Sequence, residues 1–177
     1  MKTSILALIA ASAFASTAAN ALELTSTDIH EGQLMAKEFV YNGFGCDGGN
    51  VSPQLAWNDV PAGTKSFAIT AFDPDAPTGS GWWHWSTVNI PANVTELAKG
   101  VDMEKVGALE LRNDYGQHAF GGVCPPKGAG MHRYQFTVFA LPTEKLELDA
   151  NASPALAGFM LNSMALEKST LTATYVN

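Results

Sequence analysis

The chain has 177 residues, of which 46% are hydrophobic and only 15% charged, a balance that excludes disorder and low complexity. Ten Lys and Arg face 17 Asp and Glu, giving a formal net charge of -7 and a sequence pI of about 4.9. That acidity argues against a nucleic-acid or anionic-membrane partner.

Residues 1–21 hold no acid and one Lys, at position 2; an apolar run from Ile5 to Phe14 leads into small residues ending Ala19-Asn20-Ala21. The pattern predicts a secretory signal cleaved before Leu22, which sends the remaining single domain, 22–177, to the periplasm or the exterior. The alternative is a membrane anchor. Spanning needs about 20 apolar residues, whereas Ser12, Ser16, Thr17 and Asn20 interrupt this stretch. With the leader removed, no membrane span is expected.

From Leu22 onward, glycines and prolines punctuate short apolar runs, the pattern of an all-β domain. Strands are expected, in chain order, at Leu22–Thr25, Glu38–Tyr41, Gln54–Trp57, Ser66–Phe72, Trp85–Ile90, Ala108–Arg112, His132–Leu141 and Thr170–Val176. Within 132–141, Tyr134, Phe136, Val138 and Ala140 alternate with Gln135, Thr137, Phe139 and Leu141. Apolar residues on most of both faces predict a central strand. One helix follows, with Ser153 as N-cap, Pro154 in its first turn and an end near Glu167. Its Leu156, Phe159, Met160 and Met164 recur at helical spacing and read as core filling rather than as a partner surface.

Cys46 and Cys124 are the two cysteines, and in an oxidising compartment a bridge between them is the leading reading, with two free buried thiols as the alternative. Gly43, Gly45, Gly48 and Gly49 on one side, and Gly121 and Gly122 on the other, place both in loops. Loop positions favour the bridge.

Two polar segments abut strong strands: FDPDAPTGSGWWHW at 72–85 and GGVCPPKGAGMHRYQF at 121–136. Asp73 and Asp75 lie two apart at a strand end, so an extended backbone turns both carboxylates to one side, and His132 and Tyr134 share a face for the same reason. With His84 opening the next strand, the two strand ends are expected to meet at one pocket. His30 and His118 read as surface or loop residues. The two His and two Asp of these segments could in principle form a mixed N/O metal site, but none has short-range ligand spacing such as HxxxH, so neither a metal nor a cofactor is expected.

These segments, together with NVSPQLAW at 50–57, VNIP at 88–91 and NDYG at 113–116, resemble the phosphatidylethanolamine-binding protein family, in particular its secreted bacterial Raf-kinase-inhibitor-like, YbhB/YbcL-type branch. DPDAP with a downstream His, combined with PPKG-x-G-x-HRY, carries the resemblance, which runs the length of the chain after the leader. It implies a β-sandwich of two antiparallel sheets with Greek-key connections and a short C-terminal helix. It further implies a small cavity for anionic groups such as the phosphate of phosphoethanolamine. The matching positions are Asp73, Asp75, Trp82, His84, Pro125, Pro126, His132 and Tyr134.

In such a pocket the imidazoles of His84 and His132 and the Tyr134 hydroxyl would donate to phosphate oxygens, with loop amides around Gly128 and Gly130 adding more. Asp73 and Asp75 would orient or charge the histidines, or receive a ligand ammonium. At least one of Trp82, Trp83 and Trp85 is expected in the core. The chain has no G-x-S-x-G elbow or other activated nucleophile, so a non-enzymatic binding protein is the preferred reading. Its expected partner is a phosphate-bearing small molecule or lipid head group, with a protein partner and a homodimer left open. The competing reading is an interaction or inhibitor protein, of protease or kinase type, acting through its surface with a vestigial pocket.

Overall fold

The computed structural model describes residues 21–177, so the leader expected over residues 1–21 lies, except for Ala21, outside the described residues. In chain order the elements are β1 (Glu23–Thr25), β2 (Asn42–Gly43), β3 (Cys46–Asp47), β4 (Leu55–Asn58), β5 (Ser66–Asp73) and β6 (Trp82–Pro91). β7 (Glu96–Leu97), α1 (Met103–Val106), β8 (Leu109–Glu110), β9 (His132–Leu141), α2 (Pro154–Met164) and β10 (Glu167–Tyr175) complete them. All strand pairs are antiparallel. They form a five-stranded sheet in the order β10-β9-β5-β6-β8, a three-stranded sheet β1-β4-β7, and the small hairpin β2-β3.

The period of two along β5 and β9 sorts their side chains into two cores. Phe67, Ile69 and Ala71 of β5 and Tyr134, Phe136 and Val138 of β9 pack with Leu24, Leu55, Trp57 and Leu97 of the three-stranded sheet. On the opposite face Ala68, Val88, Phe139 and Leu141 pack against Leu146 and against Ala157 and Leu161 of α2. β9 is therefore interior in both senses, paired on each side and buried on each face, as its apolar pattern predicts. Two further segments line parts of this sheet's margins. Residues 32–35 run along β10 through Gly32 N–H to Thr172 O, Met35 N–H to Thr174 O and Thr174 N–H to Gln33 O. Beyond β8, Leu111, Asp114 and Gly121 donate their amides to Ser86, Trp83 and His84 of β6.

Several elements differ from the sequence expectation. Residues 38–41 are not a strand: Lys37–Phe39 is a 3-10 turn, and the backbone after it grips the glycine segment through Tyr41 N–H to Val123 O and Val123 N–H to Phe39 O. Gly122 is required there, because a Cβ would lie 2.5 Å from the Phe39 carbonyl and the Tyr41 nitrogen. The strand expected at 108–112 shrinks to β8, since Gly107 caps α1 in a left-handed conformation and the Arg112 amide turns away to Ala150. α2 stops at Met164 rather than near Glu167, because β10 begins pairing at Glu167 with Ala140.

The helix also faces the other way. Its buried stripe is Pro154, Ala157, Gly158 and Leu161, while Leu156 and Phe159 are 47% and 73% exposed and Met164 is exposed too. The small residues are what let the helix lie close on the sheet: a Cβ on Gly158 would stand 3.1 Å from the Trp83 ring. The core reading of Leu156, Phe159 and Met164 is thereby overturned. Leu161→Ala should cost about 2–5 kcal/mol, whereas Phe159→Ser should shift stability by no more than about 0.5 kcal/mol, both read by urea unfolding.

The Cys46–Cys124 bridge is present, joining β3 to the residue before Pro125 across 78 positions. The chain-entropy relation gives it about 4.5 kcal/mol. The double variant Cys46→Ala/Cys124→Ala should lose a few kcal/mol in the same assay, and unchanged stability in dithiothreitol would contradict this.

Candidate functional site

β5 ends at Asp73, β6 begins at Trp82 and β9 begins at His132, so three strand ends of the large sheet meet at one rim. There they border a cavity of about 230 Å³ lined by Asp73, Trp82, His84, Pro125, Pro126 and His132. Asp75 and Tyr134, expected with them, are not in the lining. Phe44 and Tyr115, which the sequence reading missed, are. Gly128 and Gly130 lie in an exposed loop outside the lining, and the Gly128 amide donates to the Asn177 carbonyl instead.

Asp73 and His132 are each 3% exposed, and the imidazole Nδ1–H donates to Asp73 Oδ2 at 2.7 Å. The other carboxylate oxygen accepts the Asp75 amide at 2.8 Å, closing a tight turn after β5. Asp73 is thus engaged by the protein on both oxygens. Its partner ring is fixed in orientation, with Nε2 the nitrogen left over.

His84 is anchored differently. Its Nδ1 lies 2.9 Å from the Gly121 carbonyl and 3.0 Å from that of Gly122, and because carbonyls only accept, Nδ1 carries the hydrogen. Burial lowers the pKa of this imidazole below its ordinary value, outweighing those two hydrogen bonds and the Asp73 charge. The neutral ring then has a lone pair on Nε2. Two asparagines hold the glycine segment in place: Asn50 Oδ1 accepts the Gly122 amide at 2.7 Å, and Asn113 Nδ2 donates to the Ala119 carbonyl at 2.8 Å. Both stand in the quoted NVSP and NDYG stretches, a signal that would have found them.

Tyr115 donates its hydroxyl to the Gly122 carbonyl and stacks on Tyr41 at 3.9 Å, presenting its ring edge-wise to Trp82 and His84. Phe44, between two glycines and 77% exposed, leans on Tyr115 at the rim. Tyr134 lies beneath, edge-on to His84 at 5.1 Å. Burial, with the Asp73 charge adding to it, pushes its phenol well above the ordinary tyrosine range, so it stays protonated. Its hydroxyl and the Trp82 indole Nε1 are both buried without a hydrogen-bond partner.

Asp75 is turned away from this group. Its carboxylate takes the Arg133 amide and Nε at 2.9 Å and Nη2 at 2.7 Å. The guanidinium holds the carboxyl well down, at about 2. Asp75 therefore ties the β5–β6 turn to the start of β9, rather than standing over the cavity. Of the three neighbouring tryptophans, Trp85 is in the core, as expected for at least one, and Trp83 packs on Phe72. His30 and His118 are exposed. Among the described residues, no three His, Cys, Asp or Glu converge to hold a metal ion, and no helix is long and apolar enough to cross a membrane.

A family model for phosphatidylethanolamine-binding protein matches residues 25–176. The Escherichia coli protein YbcL is 51% identical over 180 residues, covering 99% of this chain and 98% of its own length. YbhB of the same organism is 47% identical over 158 residues, covering 87% of this chain and 99% of its own. The crystal structure of Escherichia coli YbcL, described as a new member of the mammalian PEBP family, superposes with a TM-score of 0.85 at 50% identity, covering 89% of this chain and 99% of that one. Motifs, strand arrangement and relatives agree, and the chain belongs to the phosphatidylethanolamine-binding protein family, in its YbhB/YbcL-type branch.

Proposed function

We propose that this chain is an exported, non-enzymatic binding protein whose cavity takes a small phosphate-bearing group. The observation that carries the reading is the polar set left unspent around one cavity. Trp82 Nε1 has no protein partner, and the ring nitrogens of His84 and His132 are anchored through Nδ1 alone. Buried polar atoms without partners are costly, and a ligand satisfies them.

The chemistry narrows the ligand further. His132, held by the Asp73 carboxylate through Nδ1, donates through Nε2 when its ring carries both hydrogens, and the Trp82 indole donates through Nε1. Neutral His84 accepts. One acceptor among donors matches a phosphate monoester that keeps a proton or carries an ammonium group. At about 230 Å³ the cavity is smaller than ordinary drug-sized pockets, which suits a head group and not an acyl chain. The leader-like residues 1–21 and the 46–124 bridge support a periplasmic or secreted location. No group on the rim is an activated nucleophile, which supports binding over turnover.

Amide-shift NMR with inorganic phosphate, phosphoethanolamine and phosphatidylethanolamine vesicles tests this. Saturable shifts at 73–84 and 124–134 are expected with the first two, weakened roughly tenfold or more in His132→Ala, since a hydrogen bond to a charged group contributes about 1.5–3 kcal/mol. Response to vesicles alone would assign the lipid source. No shifts at millimolar ligand would sink the pocket reading and shift attention to the surface, where Leu156 and Phe159 stand exposed.

His84 also sets a pH dependence. Above about pH 6.5 neither folded nor unfolded chain protonates this ring, so it costs nothing. As pH falls below that value the unfolded chain binds the proton first, because the folded-state pKa is lowered, and stability drops until the folded value is passed. Urea unfolding at pH 7.5, 6 and 5 should therefore show a steeper loss in the wild type than in His84→Gln; parallel slopes would contradict the assignment.

A further inference from the structure

Strand β1 pairs with β4 along one edge, Glu23 opposite Asn58 and Thr25 opposite Ala56. The amides of Leu24 and of Leu22, just before the strand, are instead taken by side chains of β10. Leu22 N–H donates to Glu167 Oε2 at 2.8 Å and Leu24 N–H to Ser169 Oγ at 3.0 Å. Leu22 is 5% exposed and belongs to the main core cluster, whereas Ala21 is exposed. Among the described residues, every core residue lies at Leu22 or later. Among the described residues, burial thus begins at the same bond, Ala21–Leu22, where the small-residue pattern places leader removal.

We propose that Glu167 is the receptor for the α-ammonium group that leader removal creates on Leu22. The inference rests on the export reading above. Hydrolysis of the Ala21–Leu22 peptide bond by a signal peptidase consumes one water; Ala21 departs with the new carboxylate, and the Leu22 nitrogen, now an amine, takes up a proton. α-Amino groups have pKa values of about 7.7–8.0, so the group is largely cationic at neutral pH. The nitrogen has no need to move. The buried Leu22 side chain holds it, and an amide hydrogen bond to a carboxylate becomes a charge-assisted one. Among the described residues, Glu167 is in no ion pair, so processing supplies its counter-charge. The released end is thereby fastened across β1 to β10 instead of fraying.

Intact-mass analysis of the exported protein first identifies its starting residue, expected to be Leu22. Two N-termini are then compared, one at Leu22 and one with a single extra residue, which moves the ammonium about 3.8 Å along the backbone. Each is made with Glu167 and with Glu167→Gln, whose amide oxygen still accepts an ordinary N–H. In the Leu22 form, Glu167→Gln should raise the unfolding equilibrium constant roughly fivefold, against less than about twofold in the extended form. It should also speed labelling of the α-amine by an amine-reactive reagent at pH 7. Equal effects in both forms, or labelling indifferent to position 167, would overturn the ion pair while leaving export intact. A different starting residue would overturn cleavage at Ala21–Leu22 and the pair's role in the exported protein, while the two defined N-termini would still report on the contact itself.

Discussion

A carboxylate and an imidazole, each 3% exposed and 2.7 Å apart, organise the cavity end of this molecule. Burying Asp73 is tolerable only because both its oxygens are engaged, one by His132 and one by the Asp75 amide. That requirement fixes the turn leaving β5 and the ring at the start of β9 together. Arg133, next along β9, clamps the same turn from outside through Asp75. The two aspartates of DPDAP thus divide the work. One is buried and aims a histidine, while the other is partly exposed and holds the backbone that carries it.

The second histidine depends on backbone alone. Gly121 and Gly122 pass so close to residues 39–41 that only glycine fits at 122, and their carbonyls then converge on His84 Nδ1. Asn50, Tyr115 and the 46–124 bridge converge on the same strip of chain from other loops. The cavity wall is therefore a short segment held from several directions, which is how a loop with little regular structure provides fixed geometry.

Much of this is legible in the sequence itself. β9 runs over the residues its alternation marks, and the motif histidines, prolines and Asp73 do line one cavity. What escaped depends on tertiary contact. The burial of α2 follows Ala157, Gly158 and Leu161 because closeness to Trp83 outweighs the hydrophobicity of Phe159, which a pattern of large apolar residues cannot reveal. Asp75 looks equivalent to Asp73 in an extended strand, and only the turn after β5 and the nearby guanidinium separate their fates. Phe44 and Tyr115 reach the cavity from distant loops, a juxtaposition created by the bridge and by stacking on Tyr41.

The partial covering of the large sheet's margins has a consequence for association. An uncovered edge offers a ladder of free N–H and C=O groups to which another chain can add as a strand. Here residues 32–35 occupy the outer side of β10 at Thr172 and Thr174, and the stretch beyond β8 occupies that of β6 at Trp83, His84 and Ser86. Along those stretches strand addition is closed to a peptide ligand, to a second copy and to an aggregating neighbour alike. A macromolecule that engages these stretches must read side chains, so specificity there rests on chemistry at the surface and not on backbone complementarity.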